Sequence, residues 1–170
     1  MIGGRFLKAE DVYKLLEERG YWYEVTHHGE VNHMEDLDQM DIPYPQANAK
    51  NLFVRDKKKR NYFLITLAGK KRMDLKAFRQ SHGTTALGFA SDDDLKNILD
   101  LEPGAVTPLS LLQDQEKKVT FFLDQYFLEG DGIIAVHPMD NRITVWMKTK
   151  DLIHLLEEEG HEVHIEDFEE

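Results

Sequence analysis

Residues 51–68 read Asn-Leu-Phe-Val-Arg-Asp-Lys-Lys-Lys-Arg-Asn-Tyr-Phe-Leu-Ile-Thr-Leu-Ala. Two runs of β-formers, Asn51–Arg55 and Tyr62–Ala68, enclose a polar turn at Lys57–Asn61, and this pattern predicts a β-hairpin. Upstream, Val12, Leu15 and Leu16 form an apolar stripe within a helix over residues 8–20, stopped by Gly20. Tyr21–Thr26 reads as a strand. His33–Met40 reads as a short helix, with Met34, Leu37 and Met40 at helical spacing, before Pro43 and Pro45 open a loop. Downstream, Asp74 is placed to cap a helix over Asp74–Gln80, Leu87–Ala90 is a short strand, and Ser91 caps a helix over 92–99 whose first turn holds three acids. Glu102–Pro108 is a loop. Val119–Leu123, Gly132–His137 and Arg142–Met147 are strands, the last two joined by a turn at Pro138–Asn141. Lys150–Glu159 is a terminal helix ending at Gly160, with a brief extension at His164–Phe168. No repeat, low-complexity tract or linker interrupts the series. The expected fold is one mixed α/β (α+β) domain over residues 1–170, a central and mostly antiparallel sheet flanked by helices.

The chain has 170 residues, 32 acids against 21 Lys and Arg, a formal charge of −11 and no cysteine. The absence of cysteine excludes disulfides, thiolate metal sites and a thiol nucleophile. No apolar run is long enough to span a membrane, and the N-terminus is amphipathic helix without a signal-peptide core, so a cytoplasmic location is expected. Overall acidity argues against a general nucleic-acid coat protein. The charge is segregated, however. Lys50–Arg79 holds eleven Lys and Arg against two acids, a net of +9, and the remainder carries −20. Two clusters, Lys57-Lys58-Lys59-Arg60 and Lys70-Lys71-Arg72, lie a strand length apart and form a candidate phosphate-binding surface. The ordinary reading of the first is a solvated hairpin tip.

Several kinds of chemistry have no support. There is no Gly-x-Ser-x-Gly elbow, no phosphate loop ending in Gly-Lys-Ser/Thr, and no Gly-x-Gly-x-x-Gly. His27, His28 and His33 cluster, as do His161 and His164, but neither set has a zinc spacing, and surface histidines in polar turns account for both. Three local features carry candidate chemistry. Lys50-Asn51 enters a strand after a proline-rich loop, where the lysine is either a solvated strand end or a ligand for phosphate or carbonyl. Gly104-Ala105-Val106-Thr107-Pro108 is a loop able to aim backbone N–H groups at one oxygen. His137-Pro138 sits at a strand end beside Asn141, placed to pack structurally or to hydrogen-bond a substrate hydroxyl or amine.

Taken in order, Lys50-Asn51-Leu52-Phe53, Tyr62–Leu67, Leu87–Ser91, Glu102–Leu109, Leu123-Asp124, His137-Pro138 and Asn141-x-x-Thr144-Val145 resemble the YbaK/ProX superfamily of aminoacyl-tRNA editing domains. The resemblance covers most of the chain. The opening Thr26-x-His28-x-x-Val31 pattern and the Lys-Asn pair make it most similar to the free-standing Ala-tRNA(Pro) deacylases of that superfamily.

The resemblance implies an aminoacyl-tRNA hydrolase, a carboxylic ester hydrolase acting on mischarged Ala-tRNA(Pro). It implies no cofactor and no metal, with the 2′-hydroxyl of the terminal adenosine as the proton acceptor. It assigns Lys50, Gly104 and His137 to the catalytic site and Asn51, Ala105, Val106, Thr107 and Pro108 to substrate binding, His137 in an orienting role. The implied partners are the tRNA(Pro) acceptor end carrying alanine and a prolyl-tRNA synthetase, with neither membrane nor DNA. The two basic clusters would guide the acceptor stem. A pocket that admits alanine and rejects the proline ring needs stiff walls. Val25, Val31 and Val136 are β-branched candidates, each equally readable as an ordinary core valine. Two alternatives stay open, a Cys-tRNA(Pro) or other small-amino-acid deacylase, and a non-catalytic tRNA-binding module.

Overall fold

The computed structural model describes residues 7–29, 42–58, 61–102 and 104–168, so the helix expected over His33–Met40 lies outside the described residues. The described chain runs α1 (Ala9–Glu18), β1 (Tyr23–His27), β2 (Ala49–Asp56), β3 (Tyr62–Ala68), α2 (Leu75–His82), β4 (Leu87–Phe89), α3 (Asp92–Asp94, continued as a π-helical turn over Leu95–Leu99), β5 (Val119–Asp124), β6 (Ile133–Val136), β7 (Ile143–Lys148), α4 (Thr149–Glu158) and β8 (Val163–Glu166). Short 3-10 turns occupy Pro45–Ala47, Pro108–Gln113 and Gln125–Leu128.

The expected hairpin is present, with Arg55 opposite Tyr62 and Ala49 opposite Ala68. It forms the middle of a five-stranded sheet ordered β4-β2-β3-β5-β8, in which β3-β5 and β5-β8 are parallel. A second, antiparallel sheet is ordered β1-β7-β6. The fold is therefore the expected mixed α+β domain, with the strands divided between two sheets rather than gathered in one. The brief extension after Gly160 is a paired parallel edge strand. Its sequence, Val-His-Ile-Glu, is too short to announce a strand, and its partner β5 lies 42 residues back, Phe121 opposite Val163.

The facing sides of the sheets share the main core. Phe53, Leu64, Ala68, Phe121 and Leu123 of the large sheet meet Ile134, Val136, Val145 and Met147 of the small one. Val12 and Leu16 of α1 and Leu152, Leu155 and Leu156 of α4 close this core. On α1 these residues recur at i and i+4, which puts them on one face. Gly20, at φ +71°, ends the helix in the left-handed region. Alternation sends Phe63, Ile65 and Leu67 of β3 to the other face, against Phe78 of α2, Phe122 and Phe168. A strand covered on both faces has to be apolar throughout, as Tyr62–Ala68 is. Burying each of Leu64, Ile65 and Leu67 contributes about 1.5–3 kcal/mol. On the far side of the small sheet, Ile133 and Trp146 pack against Ala47 with Ile42 and Tyr44. Among the described residues no helix is long and apolar enough to cross a membrane.

Candidate active site

The β6–β7 turn carries one group of candidate residues. Val136 pairs with Val145, so the next residue, His137, stands opposite Thr144 and on the same face. His137 Nδ1 is 3.0 Å from the Ile143 carbonyl oxygen. A carbonyl only accepts, so Nδ1 carries the hydrogen and donates it, and Nε2 of the neutral ring keeps its lone pair. Burial is the first cause that pushes the His137 pKa below its usual 6.5, against the opposing pull of that hydrogen bond. The ring is therefore a neutral acceptor at neutral pH, suited to a substrate hydroxyl or ammonium.

His28 belongs to the Thr26-x-His28-x-x-Val31 pattern, which by itself assigns it no role in the site. It lies on the same face and close enough to lower the His137 pKa further. Its Nδ1 donates to the Gly29 carbonyl at 2.6 Å and its Nε2 accepts from the Thr144 hydroxyl at 2.8 Å. Thr144 is only 6% exposed, so its hydroxyl orients His28 and is not presented to a bulky ester. The turn is rigid. Arg142 donates from its backbone N, Nε and Nη2 to the Asp140 carboxylate at 2.9, 3.0 and 2.8 Å, and this holds the Asp140 pKa down at about 2. Asp140 is thus an ionised anchor, not a general acid.

The Gly104 loop reaches this turn. Gly104 has φ +87°, and a Cβ built on it would stand 3.5 Å from the Asn141 Nδ2. Among the described residues the Gly104 and Val106 N–H groups have no backbone partner, while the Ala105 N–H donates to the Glu102 carbonyl at 3.2 Å. Thr107 and Pro108 are buried and otherwise engaged. Thr107 Oγ1 accepts from Leu109 N at 3.4 Å and Pro108 opens the 3-10 turn. Ala105 and Val106 pack against the main core. We expect Gly104→Ala to cost about 1–2 kcal/mol through backbone strain alone, since the space for a methyl group is adequate. A urea midpoint unchanged from wild type would refute this.

Lys50 and Asn51 form a separate group at the start of β2. Alternation points them to opposite faces. Asn51 Oδ1 accepts from the Thr66 hydroxyl at 2.6 Å, while Lys50 Nζ donates to the Lys71 carbonyl at 2.7 Å. Among the described residues no hydrogen bond or ion pair joins either residue to Gly104 or His137.

The structure places two of the three valines expected to wall the pocket. Val25 and Val136 flank Val145 across the small sheet on the core-facing side, away from His137, and Val136 is 2% exposed. They stiffen the sheet behind the turn. Val31 lies outside the described residues. The basic clusters are also separated, because Lys57 and Lys58 are exposed at the hairpin tip and Lys70 and Arg72 are exposed at its other end. Lys59 and Arg60 lie outside the described residues. Lys71 is no surface residue. It is 7% exposed, and its ammonium lies 3.1 Å from Asp124 Oδ1 and 2.6 Å from the Phe168 carbonyl.

A family model described as an aminoacyl-tRNA editing domain matches residues 28–155. The prolyl-tRNA editing protein ProX of Acetoanaerobium sticklandii is 35% identical over 146 residues, 86% of this chain and 88% of that protein. The prolyl-tRNA synthetase associated domain-containing protein 1 of Mus musculus is 34% identical over 153 residues, with coverages of 86% and 88%. A solved structure of a candidate trans-editing enzyme for prolyl tRNA synthetase superposes with a TM-score of 0.67 over 95% of this chain and 96% of its own, at 21% identity. That last likeness is one of fold.

Proposed function

The chain belongs to the aminoacyl-tRNA editing domain family, and from that premise we propose that it removes alanine from mischarged tRNA(Pro) by hydrolysing the aminoacyl ester. The observation that carries this reading is His137, a neutral imidazole with Nδ1–H tied to Ile143 and Nε2 left as an acceptor. An aminoacyl ester is already activated, so the protein has to position it, stabilise the oxyanion and give the proton a destination. His137 Nε2 orients the terminal group, and the Gly104 and Val106 N–H groups face the developing oxyanion. Lys50 supplies a cation for the terminal phosphate, and the terminal 2′-hydroxyl takes the proton. Among the described residues the Thr144 and Thr66 hydroxyls and the Asp140 carboxylate are engaged in hydrogen bonds, which fits a substrate-assisted reaction. Selection of alanine over proline then rests on exclusion of the larger ring.

The test is incubation with Ala-, Cys-, Ser- and Pro-tRNA(Pro), each labelled in the amino acid. Release from Ala-tRNA(Pro) with Pro-tRNA(Pro) left intact is expected. Preferential release of cysteine moves the substrate to Cys-tRNA(Pro), and retained tRNA binding without any release makes the protein a binding module.

The state of His137 predicts the pH profile. Its folded pKa lies below the unfolded value near 6.5, so the unfolded chain takes up this proton first as pH falls. Its contribution to stability is full above about 6.5 and declines as pH drops from there toward the folded pKa. Protonation of Nε2 also removes the acceptor, so kcat/KM should stay level through neutrality and show an acid limb below 6.5. His137→Ala should lower kcat about tenfold and abolish that limb. An unchanged limb in the variant would assign it to another group.

The exposed Lys57 and Lys58 fit a role in guiding the acceptor stem. Replacing both with Gln should raise KM for charged tRNA and reduce the salt slope by about two. Identical salt slopes would leave the tip as solvated surface.

A further inference from the structure

The matched family region ends at residue 155, and beyond it lie β8 and Phe168. Phe168 reaches back to Lys71, whose carbonyl holds the lysine that the proposed reaction needs. The Phe168 ring is 9% exposed and sits among Val54, Ile65, Leu67 and Phe122 on the outer face of the large sheet. Its carbonyl accepts from Lys71 Nζ at 2.6 Å. The same ammonium donates to Asp124 Oδ1 at 3.1 Å and stands 5.7 Å from the Tyr126 ring centroid. Asp124 is fully buried. It takes the Ala68 N–H at 2.9 Å and the Tyr126 N–H at 3.1 Å, so it is held by groups on three sides. The Lys71 N–H donates to the Ala68 carbonyl at 2.9 Å, which closes the turn after β3. The Lys71 main chain is therefore fixed from one side by its own turn and from the other by its buried side chain. The Lys71 carbonyl is the group that receives Lys50 Nζ.

We propose that Lys71 is a positioning residue, and that the C-terminal segment, through the Phe168 carbonyl, sets where the Lys50 ammonium sits. A lysine head has three donors on a flexible stem, and without a fixed acceptor it samples many rotamers. The Lys71 carbonyl selects one of them, and the buried Asp124–Lys71–Phe168 contact keeps that carbonyl in place. The catalytic consequence rests on the function proposed above, but the position of Lys50 does not.

The two parts are tested separately. Trace acylation with an N-hydroxysuccinimide ester, followed by peptide mass spectrometry, gives the reactivity of Lys50 relative to exposed Lys70 in the same molecule. Wild type should show Lys50 as the slower amine. Ending the chain at Asp167, or replacing Lys71→Met, should raise the Lys50-to-Lys70 ratio at least threefold. Val12→Ala, a core change in α1 that touches none of these groups, should leave it unchanged. If Lys71→Met does not fold, the chain ended at Asp167 carries the test, with near-UV circular dichroism reporting its packing. A wild-type ratio in the folded truncated chain overturns the proposal. A ratio that rises equally in Val12→Ala also overturns it, because the effect is then general loosening. In the deacylation assay the truncated chain should lose about tenfold in kcat with KM nearly constant. If the wild-type protein releases no amino acid, the proposed function falls and the labelling ratio still decides the position of Lys50.

Discussion

On the function proposed above, Lys50→Ala is expected to lower kcat/KM on Ala-tRNA(Pro) by about a hundredfold or more while leaving the fold intact. A charged donor aimed at a phosphate or developing oxyanion contributes about 3–4 kcal/mol in a site that excludes water, and each 1.4 kcal/mol is a factor of ten. Lys50 costs the fold little to lose. It is half-buried at the second position of β2, its hydrogen bond goes to a carbonyl, and none of its contacts is an ion pair among the described residues. The urea midpoint should therefore remain close to wild type. Lys50→Arg tests whether charge alone suffices. The flat guanidinium cannot reproduce a single ammonium contact to the Lys71 carbonyl, so recovery should be incomplete. Wild-type rates in Lys50→Ala would remove this residue from the reaction.

Lys71→Met should have the largest effect on stability, about 3–5 kcal/mol. The variant fills a similar volume but leaves the Asp124 carboxylate fully buried with no cation, and uncompensated buried charge is among the costliest changes a core can suffer. Against a domain stability of about 5–15 kcal/mol, a loss of that size is a large downward shift of the urea midpoint. The double variant Lys71→Met/Asp124→Asn should recover part of it, because a neutral amide is cheaper to bury. A single variant as stable as wild type would mean that the Lys71–Asp124 pair contributes little. The pair has no exposed counterpart to confuse the measurement. By contrast Lys118–Glu116 and Lys96–Asp100 lie on the surface, and such pairs are worth little.

These two lysines also show where sequence reasoning succeeds and where it stops. The β2–β3 hairpin was legible because its apolar runs and polar turn are local signals, and the same holds for the caps at Asp74 and Ser91, which both accept the expected backbone N–H. The division into two sheets was not legible. It depends on β1 pairing with β7 and on β3 pairing in parallel with β5, and neither pairing leaves a mark on the residues between. Lys70, Lys71 and Arg72 look alike in one dimension. In the structure the middle one turns inward because a buried acid, Asp124, waits for it on another strand. Val136 and His137 are neighbours in sequence, yet the two-residue period of a strand sends one to the core and the other to the opposite face. His28 was visible within a pattern, but its bond to Thr144 joins strands far apart in the chain and could only be found in three dimensions.

The pairing of β1 with β7 has a kinetic side. Among the described residues Tyr23–His27 pairs as a strand with Ile143–Lys148, far along the chain, and the β5–β8 and β3–β5 pairs are parallel crossovers. Such a topology has high contact order, because loop-closure entropy is paid before the long-range pairings return it. Refolding is expected in milliseconds to seconds, slower than a helical bundle of this size. During synthesis the first strand emerges early and stays without a partner until β7 leaves the ribosome. The His28–Thr144 contact and the turn that holds His137 are assembled by that same late event. A nascent chain therefore has no such site until β7 has been made.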